Sequence, residues 1–265
     1  MKTKTSITLF IGLFVVLVIA MVMLIPASVQ AGDEIKSQGN NQIPPGLKEI
    51  PPGLEKIVFI HYKKGHAKPD NPGKSNKSPK PSGESKCYDF MGKGVKWKSS
   101  PGPCFVHPDL LSLVPGAISA GGDTWDIETS MDLFSNYTSD ETANWDDEVP
   151  DGRNEMSFGD YPQAGVIAVT VVWGYFSGPP SMREIYEFDI LFDTDFDWGD
   201  ASEDSSVMDL QNIATHEIGH GLGLADIYES GCSDVTMYGY SDYGDVDKRT
   251  LATPDITGLH ELYGE

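Results

Sequence analysis

Basic residues are scarce in most of this sequence. Residues 99–265 contain 33 Asp and Glu but only four Lys or Arg, which gives this part a net charge of −29. Such a surface repels phosphate backbones and anionic lipids, so the charge argues against nucleic acid and anionic membranes as partners. It fits an exported soluble protein, cation binding, a salty or hot habitat, or simply an acidic surface that keeps the protein dissolved.

Long apolar runs are also scarce, and the one that occurs is at the N-terminus. Lys2 and Lys4 precede an apolar run over residues 7–25, and Val29 and Ala31 suit the −3 and −1 positions of a signal-peptidase site. We therefore predict a signal peptide over 1–31 and a secreted, extracellular protein. The run is long enough to span a bilayer, so the alternative is an uncleaved anchor with the rest of the chain outside the membrane.

Cysteine occurs only three times, at Cys87, Cys104 and Cys232. Export permits disulfides, and one bridge plus one free thiol is the simplest arrangement. Three pairings are possible, and the sequence does not choose among them.

Composition divides the remaining chain into two parts. Residues 63–86 are Lys, Pro, Ser and Gly with almost nothing apolar, which is typical of a linker. We predict one strand at 56–62, a basic pro-like or linker segment over 32–86 and a single α+β domain over 87–265. Whether 32–86 is an inhibitory propeptide stays open. In the domain, periodicity and breakers predict three strands and three helices: a kinked opening strand over 95–107, strands 165–176 and 184–193, and helices 115–128, 205–222 and 254–263.

The stretch ATHEIGHGLGLADIY, residues 214–228, carries the main chemical signal. On a helix, His216 and His220 lie about 40° apart and one turn from each other, so both imidazoles face the same side. Two imidazoles can hold Zn²⁺ while they leave room for a water, and the carboxylate of Glu217 can remove the proton of that water. This is the chemistry that hydrolysis of a peptide bond needs.

Three further residues fit a catalytic zinc site. Gly223 ends the helix and lets the chain turn back, Asp226 follows as a third ligand, and Met237 lies in a glycine-containing turn. A plain helix with two surface histidines would not predict Gly223 or Asp226 at these positions. Tyr238 and Tyr240 flank the glycine of that turn and are candidates for a substrate pocket, although core packing is an equal alternative.

HEIGHGLGLAD followed by TMYGY resembles the metzincin zinc endopeptidases, and the matrixins within them. GVKWK, TWDIET and PDITGLHELYG extend the resemblance over residues 87–265. It implies a zincin-like α+β fold: a twisted, mostly parallel five-stranded sheet, two helices including the active-site helix, and a small irregular C-terminal subdomain that ends in a helix. It also implies that His216 and His220 bind zinc, that Glu217 is the general base and that Met237 lies under the metal.

The sequence departs from matrixins in two places. Asp226 stands where matrixins have histidine, as in the snapalysin-like enzymes, and no Pro-Arg-Cys-Gly stretch is present to cap the zinc. We expect Cys87 to form a disulfide rather than to act as such a switch.

A second metal is suggested by the acidic stretch 192–205, whose oxygen-rich side chains suit calcium. The candidate ligands are Asp193, Asp195, Asp197 and Asp200. The sequence thus predicts a secreted, monomeric zinc endopeptidase with a protein or peptide substrate. The alternatives are an exported zinc-binding module without proteolytic activity, and an enzyme that takes its last zinc ligand from a later Glu.

Overall fold

The computed structural model describes residues 50–66, 86–134 and 136–265. The signal peptide predicted over 1–31 and most of the segment 32–86 lie outside these residues, so both stay predictions. Within the described residues, no helix combines the length and apolarity needed to cross a membrane.

The strands form one large mixed sheet and a small two-stranded ribbon. In chain order they are β1 Glu55–Lys63, β2 Cys104–Val106, β3 Tyr137–Ser139, β4 Asn154–Gly159, β5 Val166–Tyr175, β6 Glu184–Asp193, β7 Trp198–Gly199, β8 Met208–Asp209 and β9 Tyr240–Ser241. The large sheet has the order β3-β2-β4-β6-β5-β1-β9, and β7 pairs with β8. Four of its six strand pairs are parallel, while β5 runs antiparallel to β6 and to β1.

The four α-helices of the described residues are α1 Pro108–Leu113, α2 Ala117–Asp126, α3 Leu210–Gly221 and α4 Thr253–Tyr263. Helices α2 and α4 agree with the predicted 115–128 and 254–263 to within two residues at each end. Helix α3 begins five residues later than predicted, because the side chain of Asp209 accepts the backbone N–H of Asn212 at 2.8 Å and caps the helix there. The residues before the cap form turns and β8.

The N-terminal strand changes the predicted organisation. We predicted a five-stranded sheet and a domain boundary near Lys86, but β1 pairs with β5 from Glu55 to Tyr62 and with β9 at Tyr62 and Lys63. Strands β3-β2-β4-β6-β5 match the expected number, and β1 and β9 extend the sheet to seven. Strand β1, which precedes the predicted boundary near Lys86, lies in the same compact unit as the C-terminal part.

Helix α3 packs closely against its neighbours. A Cβ on Gly221 would come within 2.8 Å of the Phe188 ring on β6, so this glycine allows the helix to approach the sheet. On the other side, the indole N–H of Trp125 on α2 donates to the carbonyl of Thr215 at 2.8 Å. The helix is thereby fixed between the sheet and α2.

The three cysteines form one disulfide and leave one free thiol. Cys87 and Cys232 form a disulfide that joins the start of the C-terminal part to the segment after α3, and Cys104 is buried on β2. The expectation that Cys87 is disulfide-bonded is confirmed.

Candidate metal centre and active site

The turn after α3 brings the chain back toward the helix. Gly223 has φ +100°, and a Cβ there would lie 2.3 Å from the carbonyl oxygen of Val95, so only glycine fits without strain. The N–H of Leu224 then donates to the carbonyl of Gly219 at 3.0 Å, and the N–H of Ala225 donates to that of Asp89 at 3.0 Å. These bonds fix the backbone immediately before Asp226.

Three side chains converge at this turn. Oδ1 of Asp226 lies 3.3 Å from Nε2 of His216 and 3.4 Å from Nε2 of His220. One ligand atom from each residue falls within 4.8 Å of the others, and all three residues are at most 1% exposed. The set of two imidazoles and one carboxylate is the type that holds a catalytic Zn²⁺.

Backbone carbonyls orient both imidazoles. Nδ1 of His216 is 2.7 Å from the carbonyl oxygen of Thr236, and Nδ1 of His220 is 3.0 Å from that of Leu224. Because a carbonyl can only accept, each Nδ1 carries a proton, and Nε2 of His216 offers a lone pair toward Asp226. The hydroxyl of Tyr228 donates to Oδ2 of Asp226 at 3.1 Å, which leaves Oδ1 directed at the histidines.

This arrangement leaves acceptors facing one another. Nε2 of His216 and Oδ1 of Asp226 have no hydrogen-bond partner and are buried. Burial and the neighbouring Lys248 lower the pKa of His216 to about 3, so its ring is neutral. Burial would raise the pKa of Asp226, yet His220 and His216 hold it below the usual range. Buried acceptors that face each other without a proton fit a bound cation, so these residues suit Zn²⁺.

Glu217 lies beside the three converging residues. Its Oε2 accepts the hydroxyl of Thr170 on β5 at 2.6 Å, and its Oε1 lies 2.8 Å from Nδ1 of His61 on β1. Burial raises the pKa of Glu217 to about 7, against the opposing effects of His220 and the Thr170 hydrogen bond. A carboxylate with this pKa is suited to take up and release a proton near neutral pH.

The predicted turn residues lie close to α3. Met237 is buried with its sulfur against Gly219, where a Cβ would lie 2.4 Å from Sδ, so this glycine admits the methionine beneath the histidine-bearing turn. Tyr238 is half-buried and its carbonyl accepts Lys248 Nζ. Tyr240 is on β9, opposite Tyr62 of β1, and its ring is 5.3 Å from that of Tyr228.

Sequence reasoning missed four residues at this site: His61, Thr170, Tyr228 and Lys248. Nζ of Lys248 is buried, lies 3.2 Å from Nε2 of His61 and has its pKa lowered to about 7 by burial. Tyr228, two positions after Asp226, carried a local signal, since a phenol so close in sequence can reach the carboxylate. His61, Thr170 and Lys248 are brought in by long-range contacts that no local pattern reveals.

The calcium candidates separate in the structure. Asp193 and Asp195 lie together with Asp160, and Oδ2 of Asp193 is buried without a hydrogen-bond partner. Asp200 instead accepts the guanidinium of Arg249 at 2.5 Å and is not a member of this three-carboxylate group. Asp197 is likewise no member of the three-carboxylate group within the described residues.

A second acidic cluster lies at the start of β4 and β6. It comprises Asp146, Asp151, Glu155, Glu187 and Asp189. Burial raises the pKa of both Glu155 and Glu187 to about 8, and neighbouring carboxylates add to the effect. Oε1 of Glu187 and Oδ2 of Asp189 are buried without a hydrogen-bond partner. The sequence analysis did not identify this cluster, because its members are spread over 44 positions and meet only through strand pairing.

Comparison with known proteins supports a matrixin-like protease. The matrixin family model matches residues 177–264, which include the last strand before α3, the HEIGH motif and α4. The chain is 37% identical over 78 residues to human matrix metalloproteinase-25 and 36% identical over 77 residues to human matrilysin. It is 43% identical over 60 residues to metalloendoproteinase 5-MMP of Arabidopsis thaliana.

These matches are partial on both sides. They cover 29%, 29% and 23% of this chain, and 14%, 27% and 16% of the respective relatives. The C-terminal third of the chain, with the candidate metal centre, is therefore matrixin-like.

Proposed function

We propose that this protein is an exported zinc-dependent endopeptidase. In the proposal, His216, His220 and Asp226 bind the metal and Glu217 is the general base. The observation that carries the proposal is the convergence of the buried His216, His220 and Asp226 side chains. The carboxylate of Glu217, whose pKa is raised, lies beside them. The matrixin likeness of residues 177–264 supports the same reaction class.

The chain's own residues would perform the proton transfers. Bound Zn²⁺ would polarise the scissile carbonyl and lower the pKa of an attacking water. Glu217 would take the proton of that water and pass it to the nitrogen of the leaving amine. Thr170 would orient the carboxylate through Oε2, so that Oε1 faces the reacting atoms.

Asp226 would set the charge of the centre. A carboxylate binds Zn²⁺ at about the same distance as an imidazole but adds a negative charge, which makes the metal less electrophilic. The Tyr228 hydroxyl withdraws part of that charge through its hydrogen bond to Oδ2. We also assign Asp160, Asp193 and Asp195 as a candidate calcium site, since their oxygens lie together and hard oxygen ligands suit Ca²⁺.

The test compares zinc-loaded full-length chains. Metal content is measured by elemental analysis and proteolysis with casein, with and without a chelator. Since His61 contacts Glu217, the comparison includes the parent, His61→Ala and His61→Ala with Glu217→Gln. Cleavage by His61→Ala that disappears with the chelator and with Glu217→Gln supports the proposal. A His61→Ala chain that holds one zinc and cleaves no peptide bond would refute it.

A further inference from the structure

The face of α3 that carries the two histidines is covered. A substrate must reach a catalytic metal, yet His216 is 0% and His220 is 1% exposed. The cover is β1: the Phe59 ring stacks on that of His220 with centroids 3.9 Å apart, and the His61 ring lies 4.0 Å from that of His216. Two side chains of one strand, two positions apart, thus cover both imidazoles.

Strand β1 is bound as an added strand. It runs antiparallel to β5 over Glu55–Tyr62 and parallel to β9 at its end. β5 carries Thr170, and β9 follows Met237 closely, so both neighbours of β1 belong to the surroundings of the candidate active site. Pairing of an extended peptide with exposed strand edges is a common way in which proteins bind peptides.

His61 occupies the free oxygen of Glu217. As an ammonium group, Lys248 Nζ donates to Nε2 of His61, and Nδ1–H of His61 donates to Oε1 of Glu217. Thr170 already uses Oε2. Each oxygen of the proposed base thus accepts a protein hydrogen bond, and the one that would face a water is held by His61.

Charge complementarity secures the end of the strand. Lys63 lies 3.6 Å from Asp242, and Lys64 lies 2.7 Å from Asp245. The backbone N–H of Lys64 also donates to the carbonyl of Ser241 at 2.9 Å. The basic end of β1 therefore meets acidic residues that follow β9.

We propose that β1 is an intramolecular occupant of the peptide-binding cleft between β5 and β9, which keeps the site latent through His61 on Glu217 and Phe59 on His220. This inference rests on the proposed function, because latency presupposes an activity. It also predicts how substrates bind: displacement of β1 would expose β5 and β9 to an extended peptide, with a large apolar side chain over His220.

The simpler reading is that β1 is a permanent strand of the sheet. The two readings predict different amide hydrogen exchange of β1 and different access of outside ligands to the metal site. An occupant that is held by a few side chains becomes displaceable when these are truncated, and the metal site then accepts an outside ligand. A permanent strand keeps its protection, or the whole protein loses stability with it.

The experiment uses full-length, zinc-loaded chains and two readouts that do not require turnover. The first is amide hydrogen exchange of residues 55–63 and 166–175, and the second is the affinity for a fluorescent peptide hydroxamate. Two variants are compared with the parent: the single variant His61→Ala, and the double variant that combines Phe59→Ala with His61→Ala. His66→Ala is the matched control, since His66 is exposed and follows the same strand. Circular dichroism and thermal unfolding check that each chain is folded.

In the double variant we expect faster exchange of both segments and at least about tenfold tighter hydroxamate binding. The reason is that β1 loses its hydrogen bond to the charged Glu217, so that the hydroxamate displaces β1 more easily. His66→Ala should behave as the parent does. A synthetic peptide of residues 54–64 should displace the hydroxamate from the double variant, and the same peptide with Ala for His61 should do so less well. The single variant His61→Ala gives the same test if the double variant does not fold.

Equal exchange and equal hydroxamate affinity in the parent and in folded variants would overturn the inference. Failure of the proposed function has a different signature. In that case the variants bind the hydroxamate more tightly than the parent, yet none of the zinc-loaded chains cleaves casein.

Discussion

Nδ1 of His61 lies 2.8 Å from Oε1 of Glu217, although 156 positions separate the two residues in the chain. Both side chains are fully buried. The contact joins a strand in the basic N-terminal part to the motif helix of the acidic part. It therefore links the segment that the sequence suggested as pro-like to the residue with the central role in the proposed chemistry.

Glu217→Gln should abolish proteolysis without loss of the metal. Gln keeps the size of the side chain but cannot take up a proton, so we expect casein cleavage by the His61→Ala chain to fall about 100- to 10,000-fold. Zinc content, measured by elemental analysis, should stay at that of the parent, because Glu217 is not one of the three converging ligands. Loss of zinc together with activity would show that Glu217 acts as a ligand instead.

Asp226→Ala should weaken zinc binding. The variant leaves two imidazoles, and since loss of an outer partner of a ligand already costs about 10–100-fold in affinity, loss of the ligand should cost more. Competition with a chromogenic chelator measures this, with Asp234→Ala as the control, because Asp234 is an exposed acidic residue nearby. Unchanged zinc affinity in Asp226→Ala would favour a later Glu as the third ligand.

The buried cluster of Glu155 and Glu187 should make stability depend on pH. Their pKa values are raised to about 8, so the folded state keeps protons that the unfolded state releases near its ordinary pKa of about 4.5. These groups should therefore lower the stability as pH rises from about 5 to about 8. Glu187→Gln should flatten this dependence in thermal unfolding, whereas the exposed Glu203→Gln should not. The same slope in both variants would contradict the assignment.

Sequence alone predicted the elements with strong local signals. Strand 184–193 and helices α2 and α4 follow from periodicity, proline and glycine, and the placing of His216 and His220 on one side of α3 follows from their spacing. Among the short strands, β2 falls within the kinked opening strand predicted over 95–107, whereas β3 and β4 were not predicted. Their three to six residues are defined by pairing with distant partners, which leaves little local pattern.

The same limit applies at the active site. The 56–62 strand was predicted, but its place beside β5 depends on contacts more than 100 positions apart. Nothing in the periodicity of KIVFIHY indicates that His61 meets Glu217 rather than solvent. Lys248 and Thr170 join the site for the same reason, through tertiary packing alone.

Removal of the Cys87–Cys232 bridge should destabilise the domain. The bridge closes a loop with a sequence separation of 145, and chain-entropy arguments for loops of this order give about 4–5 kcal/mol. We expect Cys87→Ala with Cys232→Ala to lower the free energy of unfolding by about 4 kcal/mol in urea titrations. The parent in a reducing agent should match the variant, and the variant itself should not respond to the reducing agent. A variant as stable as the parent would show that contacts alone hold Cys232 and its segment in place.

Gly223→Ala should damage the fold and the metal site together. The φ of +100° disfavours any L-residue, and the new Cβ would clash with the carbonyl of Val95, so we expect a loss of about 2 kcal/mol or more in unfolding free energy. Because the turn at Gly223 leads directly to Asp226, zinc affinity should fall as well. Gly231→Ala is the matched control, since a Cβ there meets nothing within 4 Å and its backbone is not in the left-handed region. If Gly223→Ala loses stability but binds zinc as the parent does, the turn is needed for folding only and does not position Asp226.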